Sequence, residues 1–250
     1  MNYGLYVSAA GADTQSRRME TLSHNLANVD TPGFKEQLAV VQARFSRAIQ
    51  DGQDVPGSGS INDLSSGVSM VETMTNYAPG PVRSTGRDLD MAIQGDGFFV
   101  VDHEGQQMLT RAGNFQLDRT GRLTTANGDS VLSSDGAPIL VNPNLPWVLQ
   151  EDGFLAQAGG GVFVGLAKPA STADLDRAGD NLFRPRGPLQ RVTADQRHVL
   201  QGHLEKSAVR PARAMLDLIE TSRAYETNIR MIQNQDQLTG SLVNRILRQK

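Results

Sequence analysis

The chain carries side chains able to do chemistry, but their spacing serves no reaction. Asp88, Asp90 and Asp96 fall close together in sequence, and two carboxyls flanking a sugar bond suffice for glycoside hydrolysis. Yet Asp96-Gly97 is a turn signal, and Asp88 and Asp90 occupy alternate positions of an expected strand. The histidines His24, His103, His198 and His203 never fall four apart, as a helical metal pair requires; the last two are five apart. With no cysteine and no His-Glu-x-x-His run, no zinc site is expected. Gly95-Asp96-Gly97 lacks the strand-then-helix setting of a nucleotide fingerprint, and no Gly-Lys-Ser/Thr closes a P-loop. No serine sits in a Gly-x-Ser-x-Gly elbow. Arg17/Arg18 and Arg184/Arg186 read as solvated faces or subunit salt bridges, because neither pair is backed by a basic cluster. These residues predict no catalytic, metal or cofactor site, no small-molecule substrate, and a chain that is not an enzyme.

Composition narrows the remaining classes. At 250 residues the chain can bury a sizeable core. Its formal charge of -3 is dispersed, with no block of like charge, so nucleic acid is not an expected partner. The opening Met-Asn-Tyr-Gly-Leu-Tyr-Val-Ser-Ala-Ala has no basic n-region, and its apolar run is too short for a cleaved signal peptide. Nothing in the sequence approaches a membrane span. A protein of this kind working outside the cytoplasm is expected to leave it by a route that removes no such peptide.

The elements then fall into an order. Leu5, Ala12, Met19 and Leu26 recur every seven residues, interleaved with Leu22 and Val29, which is a coiled-coil-like stripe. The same segment is rich in poor helix formers, including Gly4, Ser8, Gly11, Thr14 and Thr21, so this helix needs packing partners to persist. It is expected to stop near Asp30-Thr31-Pro32-Gly33. Phe34, Leu38, Val41, Phe45 and Ile49 suit either a helix or a strand, and residues 51–69 have the small, polar composition of a linker. From Tyr77, glycines recur about every eight residues between short apolar runs such as Phe98-Phe99-Val100-Val101, which predicts an antiparallel β-rich core. After Pro211, Met215, Leu218, Tyr225, Ile229, Ile232, Val243 and Ile246 mark the strongest helix of the chain. At about 1.5 Å per residue it would reach roughly 60 Å, longer than a globular helix needs.

Two such helices, separated by a β-rich sequence, each need the other or another subunit to bury their stripes. The alternative is an ordinary domain whose terminal helices dock on its own sheet. The expected fold is α+β: long N- and C-terminal helices pairing in coiled-coil fashion, with a central antiparallel β-rich domain. The expected divisions are 1–33 (N-terminal helix), 34–76 (extended linker), 77–195 (β-rich outer domain) and 196–250 (C-terminal helix).

Three stretches carry a resemblance. Leu22-Ser23-His24-Asn25-Leu26-Ala27-Asn28-Val29-Asp30-Thr31-Pro32-Gly33-Phe34-Lys35 contains Asn-Leu-Ala-Asn-x-x-Thr-x-Gly-Phe at every fixed position. Thr85-Gly86-Arg87-Asp88-Leu89-Asp90-Met91-Ala92-Ile93-Gln94-Gly95-Asp96-Gly97-Phe98-Phe99 is followed by Leu109-Thr110-Arg111-Ala112-Gly113-Asn114-Phe115. Gly202-His203-Leu204-Glu205-Lys206-Ser207 leads into Ile219-Glu220-Thr221-Ser222-Arg223-Ala224-Tyr225-Glu226. In these the chain resembles the bacterial flagellar rod and hook family. Its Ser207-Ala208-Val209-Arg210-Pro211 departs from that family's Ser-Asn-Val-Asn, which puts the entry into the last helix in question.

The resemblance implies a structural subunit of the basal-body rod. Such a subunit polymerises through its terminal helices into a drive shaft that transmits torque. Expected partners are copies of itself, neighbouring rod proteins and the flagellar type III export apparatus, and the expected location is the periplasmic rod. The length and the Leu5 to Ala12 opening lean towards a proximal-rod subunit over a distal-rod or short hook-type one. The paired-helix core is expected from Leu5, Met19, Leu22, Leu26, Leu218, Tyr225, Ile229 and Ile232. The family-motif residues are Asn25, Leu26, Ala27, Asn28, Thr31, Gly33, Phe34, Gly95, Gly97 and Phe98, with Asn25 and Asn28 implied to shape the helix end and Gly33 the turn. The rival class is a secreted β-rich binding module or carbohydrate-active enzyme.

Overall fold

A computed structural model describes residues 3–43, 49, 51–55, 67–193 and 196–247. The chain forms two compact units. The first takes residues up to 27, 37–76 and 210 onward; the second takes 28–36 and 77–209. Phe45 and the middle of the expected linker lie outside the described residues.

The first unit is built on helix α1 (Tyr3–Ala27), strands β1 (Gln37–Ala43) and β2 (Val68–Thr75), and a C-terminal helix of 37 residues, Pro211–Leu247. Of the ambiguous stretch after Phe34, Gln37–Ala43 is a strand, and the expected linker carries both strands of an antiparallel ladder from Gln37↔Thr75 to Ala43↔Val68. Val40-Val41 supplies the β-branched residues such a ladder favours. Its partner Val68-Ser69-Met70-Val71 was masked in sequence by the small polar residues before it.

α1 lies against both the hairpin and the C-terminal helix. Its fully buried residues are Ser8, Ala12, Thr14, Thr21 and Asn25, whereas Leu5 is 38% exposed and Met19, Leu22 and Leu26 are half-buried. Close approach accounts for this. Added Cβ atoms would lie 2.5 Å from Gln235 Nε2 at Gly4 and 3.1 Å from Asn228 Nδ2 at Gly11. Small residues let the backbones approach, so the large apolar residues are displaced to the flanks. The buried hydroxyls are satisfied locally: Thr14 Oγ1 donates to Ala10 O at 2.8 Å and Thr21 Oγ1 to Arg17 O at 3.1 Å.

Among the described residues, the second unit contains sixteen strands. They are β3 (Val82–Ser84), β4 (Met91–Ile93), β5 (Phe98–His103), β6 (Gln106–Thr110), β7 (Gln116–Leu117), β8 (Leu123–Thr124), β9 (Ser130–Val131) and β10 (Trp147–Leu149). There follow β11 (Phe154–Gln157), β12 (Gly160–Phe163), β13 (Leu166–Pro169), β14 (Leu175–Gly179), β15 (Leu182–Pro185), β16 (Leu189–Arg191), β17 (Val199–Gln201) and β18 (His203–Glu205). The main sheet runs β14-β15-β6-β5-β9-β8-β7, with β13 joining β5 to β16, and all pairs are antiparallel.

β5 is buried on both faces, which its unbroken apolar run encodes. Phe99 and Val101 enter one core with Met108, Phe115 and Leu123, while Phe98 and Val100 enter another with Leu109 and Phe183. The expected C-terminal helical segment 196–250 begins too early, since β17 and β18 pair with β4 and β3 of this unit and the helix starts only at Pro211. The architecture is α+β.

Candidate functional site

In the second unit the three motif stretches converge on one buried ion cluster. Lys35 Nζ donates to Glu205 Oε1 at 2.7 Å and to Ala78 O at 2.9 Å. Arg111 Nη1 donates to Glu205 Oε2 at 3.1 Å and to Ile93 O at 3.3 Å, and its Nη2 reaches Gly95 O at 2.6 Å. Gly80 N also donates to Glu205 Oε1, at 2.8 Å. All three charged side chains are buried. Desolvation holds Lys35 below the usual lysine range while Glu205 pulls it back up, and Arg111 is lowered in the same way. The Arg111 guanidinium also lies over the Phe98 ring, 5.3 Å from its centroid. Nothing in this arrangement can act on a substrate; it joins sequence-distant segments.

Glycines let the backbone close around the cluster. Gly33 has φ +67° and a Cβ there would fall 2.3 Å from the Arg111 carbonyl carbon, so no larger residue fits. Its N–H donates to Glu205 O at 2.8 Å. Beside it Phe34 is buried and carries the Arg177 guanidinium over its ring, 4.5 Å from the centroid. Gly97, with φ +126°, leads into Phe98, while Gly95 supplies the carbonyl held by Arg111.

The helix end is shaped by side chains. Asn28 Oδ1 accepts from Thr31 Oγ1 at 3.1 Å, and Thr31 N donates to Asn28 O at 3.2 Å, which closes the turn. In the first unit Asn25 is 1% exposed and grips the start of β1 with both ends of its amide: Nδ2 donates to Gln37 O at 2.7 Å and Oδ1 accepts from Gln37 N at 2.9 Å. Leu26 is half-buried beside it and Ala27 is exposed. Asn25 therefore acts on the hairpin rather than as a helix cap.

The residues weighed for catalysis are engaged separately. Asp88 and Asp90 are not alternate strand residues: Asp88 lies in a turn and Asp90 in an isolated bridge to Asn114, because Asp90 N closes onto Arg87 O at 3.0 Å. Asp90 is buried and accepts from Thr85 Oγ1 at 2.7 Å, whereas Asp96 is exposed and paired with Lys168 at 2.6 Å. His103 Nδ1 lies 2.6 Å from Asp129 Oδ1, a bond that raises the imidazole above its ordinary pKa. His203 Nδ1 donates to Gln201 O at 2.7 Å. Among the described residues, no group of three or more His, Cys, Asp or Glu could hold a metal ion.

The terminal helices present the other candidate surface. On the C-terminal helix, which we label α2, Ala214 and Thr221 are buried, and Leu218, Tyr225, Ile229 and Ile232 are half-buried. Met215, Leu216, Ile219, Met231, Leu238, Leu242 and Val243 are between 48% and 63% exposed. None of the described helices is long and apolar enough to cross a membrane.

Comparison with known proteins gives this geometry its context. Residues 5–35 match the family described as "Flagella basal body rod protein", 92–157 the "Flagellar hook protein FlgE/F/G D1 domain", and 200–245 the "Flagellar basal body rod FlgEFG protein C-terminal". The flagellar basal-body rod protein FlgF of Caulobacter vibrioides is 34% identical over 251 residues, covering 98% of each chain. The chain belongs to the flagellar basal-body rod proteins. FlgG of Bacillus subtilis is 30% identical over 96% of this chain and 97% of its own, and FlgF of Salmonella typhimurium 29% identical over 96% of each. The protein is therefore a structural subunit of the flagellar rod and not an enzyme.

For a rod protein the ion cluster was the feature sequence reasoning missed. Lys35, Arg111 and Glu205 each stand inside a motif of glycines and apolar residues. A long charged side chain in such surroundings is the one local sign of burial as a pair.

Proposed function

We propose that this rod subunit polymerises through α1 and α2, which pair in coiled-coil fashion, and that the β-rich unit stiffens the shaft as an outer sleeve while it transmits torque. The observation that carries this reading is the apolar surface of α2: seven large apolar side chains remain about half exposed on one helix. Exposed apolar area of this extent marks a surface meant to be covered by another protein. The partners are copies of the chain and neighbouring rod proteins. Export runs through the flagellar type III apparatus to the periplasmic part of the basal body. We place the chain at the proximal-rod position of FlgF, in keeping with its length and the Leu5 to Ala12 opening.

Removing residues 1–28 or the last thirty tests the reading. Either deletion is expected to abolish rod assembly and swimming while leaving the β-rich unit folded. Normal swimming by a strain carrying either deletion overturns it.

A further inference from the structure

Resting on that reading, we infer that Glu205, with Lys35 and Arg111, is the load-bearing clamp of the subunit. It ties the stretches of chain that cross between the two units to the sheet of the second, so that torque runs along them without peeling them away. The chain crosses between the units at four places, 27/28, 36/37, 76/77 and 209/210. These crossings are covalent, so load on either unit reaches the other along them. Residues 28–36 form a strap that enters the second unit and leaves it again, and load pulls on both of its ends at once.

The strap is fastened at successive residues. Asn181 Nδ2 donates to Pro32 O at 2.8 Å, Gly33 N to Glu205 O at 2.8 Å, Ala208 N to Phe34 O at 3.0 Å and Arg177 Nη1 to Lys35 O at 3.1 Å. The Lys35 ammonium adds its bonds to Glu205 Oε1 and Ala78 O. The bond to the carboxylate is the strongest of the set, because both of its partners are charged.

The remaining crossings meet at the same carboxylate. Soon after 76/77 the chain reaches Gly80, whose N–H shares Glu205 Oε1 with Lys35. A Cβ at Gly80 would collide with Lys206 O, so the entering chain runs directly against the leaving one, and Lys206 N donates to Pro81 O at 2.9 Å. Glu205 itself belongs to the stretch that leaves at 209/210. Its other oxygen, Oε2, is held by Arg111, which directly follows β6 and also binds the carbonyls of Ile93 in β4 and of Gly95. Strap, entry and exit are thus joined to one another through Oε1 and to the body of the sheet through Oε2.

Burial suits the cluster to load. When an exposed ion pair such as Arg17 with Asp13 is stretched, water replaces each partner as it leaves. Lys35 and Glu205 are buried and have no such substitute, so their bond holds until it breaks outright. A group that only glued the core together would resist opening equally from every direction. A clamp resists most where the strap is pulled against the exit.

The chain contains no cysteine, so engineered pairs give unique attachment points for pulling single molecules. The full-length subunit is held at constant force through Glu36→Cys/Arg210→Cys, which loads the strap against the exit. Separately it is held through Ala126→Cys/Ala158→Cys, in two exposed turns of the β-rich unit. Lys35→Met removes the charged tie of the strap but leaves Glu205 and Arg111 as a balanced pair. It is expected to speed opening about tenfold along the first axis, as losing one charged hydrogen bond implies, and less than about twofold along the second. Acceleration along the first axis no greater than along the second overturns the clamp and leaves the rod assignment intact. Should Lys35→Met fail to fold, Lys35→Gln, which keeps a donor without the charge, is read by the same comparison. Swimming cells whose basal bodies lack the protein would instead overturn the rod assignment.

Discussion

Glu205 is the only carboxylate bonded to both Lys35 and Arg111 among the described residues, and all three are out of reach of water. Replacing it with Gln removes the charge but keeps the shape, leaving two buried cations uncompensated. Breaking a buried pair in this way costs about 3–5 kcal/mol. Glu205→Gln is therefore expected to shift the urea midpoint of the β-rich unit sharply downward, and an unchanged midpoint would show that the cluster contributes nothing. His103 gives a pH-dependent counterpart. Its pKa is raised in the folded chain by the bond to Asp129. The stabilisation is thus complete below the ordinary histidine pKa and is lost as pH rises through the higher folded value. Unfolding of the unaltered chain and of His103→Gln, compared from acid to mildly alkaline pH, should differ most at the acid end and converge above the folded pKa. The residues of both clusters could be read in the sequence, but their pairing could not: Lys35 and Glu205 are 170 positions apart, and no local period reports such a meeting.

Among the elements, the start of the hairpin is held to the end of α1 by the Asn25 amide. Asn25→Ala would strip the half-buried Gln37 N–H and C=O of their partners at 2.9 and 2.7 Å, at a cost of about 0.5–1.5 kcal/mol per bond. Faster hydrogen exchange at the Gln37 amide, with α2 unaffected, is the expected result. The helices themselves were legible from the spacing of their apolar residues, and the β-rich centre from glycines between short apolar runs. The seam between the helices was not, because a seven-residue stripe identifies a face without saying which of its residues are innermost. At Gly4 and Gly11 the other helix comes so close that small residues are innermost, and Leu22 and Leu26 further along are only half-buried. β1 and β2 were hidden for another reason. Their ladder joins segments separated by a polar stretch, so neither strand has a neighbour in sequence to mark it.

For the molecule as a whole, the limit of the β-rich unit lies at Val209 rather than at residue 195. β17 and β18 complete it by pairing with β4 and β3, and Glu205 is the last residue of β18. A chain ending at 209 is expected to retain cooperative unfolding of this unit, and one ending at 195 to lose it, as judged by near-ultraviolet circular dichroism during a thermal ramp. The same geometry has a consequence in time. When a chain emerges N-terminus first, Lys35 appears early and its carboxylate partner only after about two hundred residues. Closing so long a loop delays the decisive contact, and folds dominated by such distant pairings form slowly. The β-rich unit therefore cannot lock until β18 has emerged, and it stays slack through most of the chain's appearance.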